Sequence, residues 1–357
     1  MKKNLKGILG MVLAMALLCG CLVGCGAAAP GDTDNSADND DGIQIGMCFD
    51  SFVIERWQRD RDVFVSAAKE LGAEVNVQNA NGDVQQQKDH IDYFIKKGMD
   101  VIVIISIDPD ELTDSVKRAR DAGIKVIAYD RPIPQAVVDL YISFDNEKVG
   151  ELMGEAMVKA GLGEGNKAVM ICGSPKDRNV PMVDGGFKSV LSDNGVEILD
   201  EYYCDGWKAE LAGDYVYNNP ERIEEADAIM CGNDDLASRV VYALAEKRLA
   251  GKKLVAGQDA DLEACQRIVE GTQLMTVYKP IEKLAQKAAE AAVSLAKGEA
   301  LEEADVSEYF GESGTVPYLK IEPIAVTKDN IDEVIIGSGF HLKEDVYLNV
   351  PGKMPSN

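Results

Sequence analysis

Short runs, most of them nearly continuously apolar, alternate with longer segments of helical period in this chain, and the whole alternation occurs twice. The runs are Ile43–Phe49, Glu74–Gln78, Val101–Ser106, Lys125–Asp130 and Leu140–Phe144, then Lys167–Cys172, Val196–Tyr203, Ala226–Cys231, Lys253–Gly257 and Gln273–Tyr278. A strand with one wet face alternates polar and apolar residues, whereas a strand that is apolar throughout has to be covered on both faces. The intervening segments supply the covers. Trp57, Phe64, Ala67, Ala68 and Leu71 share one helical face, as do Val84, Gln87, Ile91, Phe94 and Ile95. Leu112, Val116 and Ala119 form another stripe, and Leu236, Val240 and Leu244 a fourth, while Gly72, Gly98 and Gly123 act as helix stops. Two such series of about 100 residues predict an α/β fold of two doubly wound parallel-sheet lobes. After Tyr278 come a long helix, Pro280–Lys297, and two more apolar segments, Tyr318–Ile321 and Ala325–Thr327. A chain with elements left over after its second lobe crosses back, and several crossovers make a hinge.

The expected division makes residues 1–24 a signal and 25–42 a tether. Residues 43–147 plus about 279–308 form the first lobe, 148–278 plus about 309–345 the second, and 346–357 a tail. The signal reading rests on Lys2, Lys3 and Lys6 preceding an apolar run from Ile8 to Val23, the charge order of an export peptide. With Gly10 and Gly20 inside it, that run is short for a hydrocarbon core of ~30 Å. It ends in Leu22-Val23-Gly24-Cys25, which resembles a bacterial lipoprotein processing box and implies a lipidated Cys25; Cys21 heads a weaker competing box. The protein is then expected outside the cytoplasm, anchored to the cell membrane by acyl chains. The segment Ala27–Gly42 carries five Asp and no basic residue, too polar to order itself. Its faint likeness to a calcium loop fails at the sixth position, Ala37, and the twelfth, Ile43.

Composition removes several function classes. The formal net charge of −24 opposes nucleic-acid binding, which needs clustered Lys and Arg. With only His90 and His341, the chain has little material for a His-rich metal site or a Ser–His–acid relay. Gly161, Gly163 and Gly165 precede a strand instead of succeeding one, so they read as a turn and not as a dinucleotide loop. Cys48, Cys172, Cys204, Cys231 and Cys265 are odd in number, lack Cys-x-x-Cys spacing and mostly sit in apolar runs, the pattern of buried free thiols. No cofactor and no enzymatic activity are expected.

In open α/β sheets ligands sit beyond the carboxyl ends of the strands. The residues just past each strand end include Arg56 and Trp57, Asp130 and Arg131, Asp177 and Asn179, Trp207, Asn233, Asp259 and Lys279. Taken singly, an Asp or Asn there is a helix cap or turn residue, a Trp is core, and Glu55–Asp62 is a solvated salt-bridged face. Their convergence from both lobes points to a ligand. Hydroxyls both donate and accept, so carboxylates, amides and cations satisfy them together, and an indole stacks on the C–H face of a pyranose. Arg56, Arg131 and Lys279 balance Asp130, Asp177 and Asp259, which suits a neutral polyhydroxylated ligand.

At these residues the chain resembles the D-xylose-binding proteins of bacterial ABC sugar importers, with the periplasmic-binding-protein type I fold. The likeness runs from about Ile43 to Leu342. It is carried by Val53–Asp62, Ala128-Tyr-Asp-Arg131, Tyr141–Gly150, Asp205-Gly-Trp207, Gly257–Leu262 and Gly271–Pro280. The resemblance implies sugar contacts from Arg56, Trp57, Asp130 and Arg131 in the first lobe. From the second lobe and hinge it implies Asp177, Asn179, Trp207, Asn233, Asp259 and Lys279. Arg178 stands where that family usually has an Asn, and Asn179-Val-Pro-Met182 also departs from its pattern; an inward-pointing Arg178 would alter pentose selectivity. The implied mechanism is a monomer whose lobes close on one monosaccharide between Trp57 and Trp207 and deliver it to a membrane permease. The alternatives are a lipid-anchored sensor presenting the same closed form to a histidine kinase, or the same delivery role for another pentose or a hexose.

Overall fold

The computed structural model describes residues 42–301 and 306–355. The signal, Cys25 and nearly all of the tether therefore lie outside the described residues. The first lobe begins with β1 (Gln44–Phe49), α1 (Arg56–Glu70), β2 (Glu74–Asn79), α2 (Val84–Lys97), β3 (Val101–Ile104), α3 (Pro109–Asp121), β4 (Lys125–Tyr129) and β5 (Leu140–Phe144). The chain then passes through α4 (Asn146–Lys159) into β6 (Lys167–Cys172), α5 (Val180–Asp193), β7 (Glu197–Tyr203), α6 (Ala209–Asn218) and α7 (Pro220–Glu225). The second lobe continues with β8 (Ala228–Cys231), α8 (Asp234–Glu246), β9 (Leu254–Gln258), α9 (Leu262–Glu270) and β10 (Met275–Tyr278). Last come α10 (Ile281–Ala296), β11 (Val306–Gly311), β12 (Gly314–Ile321), β13 (Ile324–Thr327) and the short α11 (Lys343–Val346).

The two sheets repeat one plan. The first has the order β11-β12-β5-β4-β3-β1-β2 and the second β13-β10-β9-β8-β6-β7. The strands from β1 to β5, and again from β6 to β10, pair in parallel. The central ones, such as β3 and β8, are buried at every position, as their unbroken apolar sequence requires. The helical stripes read from the sequence pack on the sheets: Phe64 and Ala68 on one face of the first, Ile91, Phe94, Leu112 and Val116 on the other. Local chemistry sets the helix ends. The Asp83 carboxylate accepts from the backbone N–H of Gln85 and Gln86 at the start of α2, and Gly98 ends that helix in the left-handed region, φ 69°. All five body cysteines are buried free thiols.

Three crossovers join the lobes. After β5 the chain enters α4, which packs on α5 and β10; after β10 it returns through α10, which packs on α1, β3, β4 and β5. The third crossing lies later than the sequence suggested. Residues 309–321 belong to the first lobe, not the second, because β12 pairs in parallel with β5, Tyr318 beside Tyr141 and Ile321 beside Phe144. The hairpin β11–β12 thereby widens the first sheet, and only β13 joins the second, antiparallel to β10. Residues 346–355 are likewise no loose tail. Val346 and Tyr347 are buried, and Lys353 Nζ donates to the carbonyls of Val269 and Glu270 at the end of α9.

Candidate functional site between the lobes

All ten residues collected from strand ends line one pocket between the two sheets, joined by Ile54, Asn146, Val180, Val183, Asp184 and Gln258. The backbone places the key carboxylates by the same device in each lobe. Asp130 comes directly after β4 and Asp259 directly after β9, both with positive φ, 64° and 97°. Each turns its N–H back onto the neighbouring strand, Asp130 to the Ile142 carbonyl and Asp259 to the Val277 carbonyl, both at 2.8 Å. Non-glycine residues in that region cost about 1–3 kcal/mol each, a strain that persists where packing over-determines the site. Trp207, at φ 58°, is a third such residue in the pocket wall.

Arg56 is the hub of the first lobe's contribution. Its guanidinium forms a fork with Asp60 one turn further along α1, at 2.9 and 3.0 Å, and its Nη1 sits 2.9 Å from Asp130 Oδ2. Arg56 and Asp60 face inward while Arg61 and Asp62 face out, so the charge alternation of Glu55–Asp62 is not merely a solvated face. Arg131 donates through Nη1 to Asp50 Oδ2 at 2.7 Å and to the Ser106 carbonyl at 2.9 Å. Its Nε lies 2.7 Å from Asp177 Oδ2 across the cleft, an ion pair in which the N–H is poorly aimed at the oxygen. Lys279 pairs with Asp259 at 2.8 Å.

The second lobe supplies shape and hydrogen-bonding edges. Asn179 donates from Nδ2 to the Asp130 carbonyl at 3.0 Å, tying the lobes together. Asn233 is a helix cap as well as a pocket residue: its Oδ1 accepts from Leu236 N–H at the start of α8, which fixes the amide with Nδ2 as its free donor edge. Trp207 donates from Nε1 to Asp177 Oδ2 at 3.2 Å, and its ring lies on Gly173, where a Cβ would come within 2.2 Å of Cη2. Trp57, 2% exposed, is wedged edge-on against Phe49 with the Arg56 guanidinium 4.5 Å from its ring centre. Its Nε1 is buried at the pocket with no hydrogen-bond partner among the described residues.

Electrostatics sharpen the charge balance read from the sequence. Burial alone would raise the Asp130 carboxyl, but Arg56, Lys279 and Arg131 outweigh it and hold it below its ordinary range. Besides Asp184 in the pocket wall, Asp50 and Asp60 stand behind the arginines, carboxyls that the rim did not suggest. Burial pushes both up despite Arg131 and Arg56. Sequence reasoning misses Asp60 because it sits mid-helix, whereas Asp50 directly follows β1, as Asp130 follows β4, and obeys the strand-end rule. Asn146 obeys the strand-end rule, lying just past β5, and was open to the same reasoning. Arg178 points away from the pocket to Asp110 of α3, at 2.5 Å, so it does not reach a ligand there. His90 and His341 both lie elsewhere, His90 beside Cys48 and His341 against the Ala260 carbonyl.

Comparison with known proteins places this architecture. A family model described as a periplasmic binding protein domain matches residues 45–300. The chain is 44% identical over 310 residues to a D-xylose-binding periplasmic protein of Haemophilus influenzae, covering 85% of this chain and 92% of that protein. It is 43% identical to the protein of the same description from Escherichia coli, with the same coverage. Among solved structures it is similar to an ABC transporter solute-binding protein from Clostridium phytofermentans with bound β-D-glucose. The TM-score is 0.77 at 28% identity, over 85% of this chain and 99% of that one. A carbohydrate transporter solute-binding protein from Chloroflexus aurantiacus, in complex with D-glucose, has a TM-score of 0.78 at 27% identity, over 85% and 98% of the two chains. With its two repeated sheets, triple crossover and polar cleft, this chain belongs to the periplasmic binding protein family.

Proposed function

We propose that this chain captures one monosaccharide, D-xylose before other sugars, by closing its lobes on it, and hands it to an ABC permease. The observation that carries the reading is the convergence of ten buried or half-buried polar and aromatic residues from both lobes on one cleft. Asp130, Asp177 and Asp259 accept from hydroxyls, Arg56, Arg131, Lys279, Asn179 and Asn233 donate to them, and Trp57 and Trp207 flank the ring's apolar face. Contacts that need both lobes favour the closed form, so binding shifts the population toward closure. The likeness at 43–44% identity to D-xylose-binding proteins supports xylose over the glucose of the more distant structures. The chain acts as a binding protein and not as an enzyme, outside the cytoplasm, with Cys25 carrying the lipid that anchors it.

Calorimetry with D-xylose, D-ribose, L-arabinose, D-glucose and D-galactose tests the ligand. Xylose is expected to bind tightest; no binding by any of them, or a hexose ahead of xylose, overturns the reading. The anchor is tested by Cys25→Ser, which is expected to move the protein from the detergent phase to the aqueous phase after phase partition. Unchanged partition removes the lipid from Cys25.

A further inference from the structure

Three consecutive residues of the β6–α5 loop cross the cleft with alternating charge. Lys176 Nζ lies 3.2 Å from Asp108 Oδ2, Asp177 pairs with Arg131, and Arg178 Nη2 lies 2.5 Å from Asp110 Oδ2. The cation–anion–cation series of the second lobe thus meets an anion–cation–anion series of the first. The middle pair is pocket; the outer two are not, since none of Lys176, Arg178, Asp108 or Asp110 lines it. Asp108 and Asp110 belong to the start of α3, as cap and first-turn residue. Glu312 in the β11–β12 turn adds negative potential around Arg178. Lys176 also walls an outer recess of the cleft shared with Arg131, Asp177 and Trp207.

We propose that Lys176 and Arg178 are closure residues: they clasp α3 of the opposite lobe only when the cleft is shut, and so set affinity without touching the ligand. A clasp of this kind stabilises the closed form for every ligand alike, because its contacts are identical whichever sugar lies inside. Both pairs are partly exposed, with side-chain exposure of 57% and 17% for Lys176 and Asp108, 36% and 44% for Arg178 and Asp110. Exposed pairs are individually weak and screened by salt, so a graded effect is expected and not an all-or-none one.

The inference rests on the sugar-capture reading, and its test keeps the two apart. In Asp108→Asn/Asp110→Asn the dissociation constants for D-xylose and for the next-best sugar of the panel are expected to rise by the same factor, about three- to tenfold. The dissociation rate should rise in stopped-flow fluorescence, and the dependence of affinity on salt should flatten. Exchanging the charges, Asp110→Lys with Arg178→Asp, should restore affinity relative to Arg178→Asp alone. Wild-type affinity in the double variant, unequal loss between sugars, or no restoration by the exchange overturns the clasp. Should the wild type bind no sugar, the functional reading fails by itself. X-ray scattering of the sugar-free chain then decides: a larger radius of gyration in Arg178→Asp, reversed by the exchange, supports the clasp, and an unchanged radius refutes it.

Discussion

Replacing Arg131 by Ala should damage this protein in two separable ways. Within the first lobe, Arg131 partners the buried Asp50 at 2.7 Å and the Ser106 carbonyl at 2.9 Å. Across the cleft it faces Asp177, which is itself 4% exposed. Truncation leaves two buried carboxylates and a carbonyl short of a partner, and breaking a buried pair from one side costs about 3–5 kcal/mol. The loss within one lobe is independent of closure, so it appears in the unfolding free energy of the sugar-free protein. The loss across the cleft, with the forgone hydrogen bonds to ligand hydroxyls, appears in affinity. Charge-assisted hydrogen bonds are worth about 1.5–3 kcal/mol each, so a fall in affinity of about 100-fold or more is expected. Urea unfolding and calorimetry with D-xylose read the two losses independently. The double variant Arg131→Met/Asp50→Asn removes the stranded charge inside the lobe, so it should regain much of the stability while binding stays lost. Wild-type affinity in Arg131→Ala, or a double variant as unstable as Arg131→Ala, would refute this division of labour.

Three further outcomes are expected. Asp259→Ala, which strands Lys279 and takes a carboxylate from the pocket, should abolish xylose binding in calorimetry; retained affinity would sink the site assignment. Gly173→Ala should push the Trp207 ring off its seat, lowering affinity about tenfold with a changed tryptophan emission. Unaltered emission and affinity would show that the ring is not seated on Gly173. Burial, in the main, lifts the Asp184 carboxyl to about 6, while Cys172, Lys188 and Tyr203 pull it down. A carboxyl raised in the folded state binds more protons there than when unfolded, so its contribution falls as pH rises from about 4 through 6. Asp184→Asn should therefore lessen the loss of unfolding free energy across that window, by an amount on the order of 1–3 kcal/mol at neutral pH, as read by urea unfolding at a series of pH values. An identical pH profile in the variant would deny the shift.

Much of the site was legible because its residues obey local rules. A strand that ends at a cleft exposes the residues just beyond its end, and Asp130, Asp177, Asn233, Asp259 and Lys279 are each a few positions past an apolar run. Reading each as a cap or a turn was not wrong either. Asn233 caps α8, and Asp177 accepts from Asn179 N–H at 2.9 Å within its own loop. The same side chains serve local backbone and pocket at once, which is why convergence across the chain was a better guide than any one position. Asp60 was hidden in a run of alternating charge, since only burial separates its inward face from that of Asp62.

Sequence alone determined the two-lobed plan, the covered parallel sheets and ten of the residues around the cleft, because periodicity, apolar runs and strand ends are properties of neighbouring residues. Tertiary structure decided where the chain crosses for the third time, since β12 finds its partner in β5, Tyr318 beside Tyr141, and nothing local to Tyr318–Ile321 names that distant edge. It decided that two further carboxyls back the arginines. It also decided the direction of Arg178: the side chain reaches for Asp110 on the opposite lobe, and an ion pair between distant segments exists only once folding has brought them together.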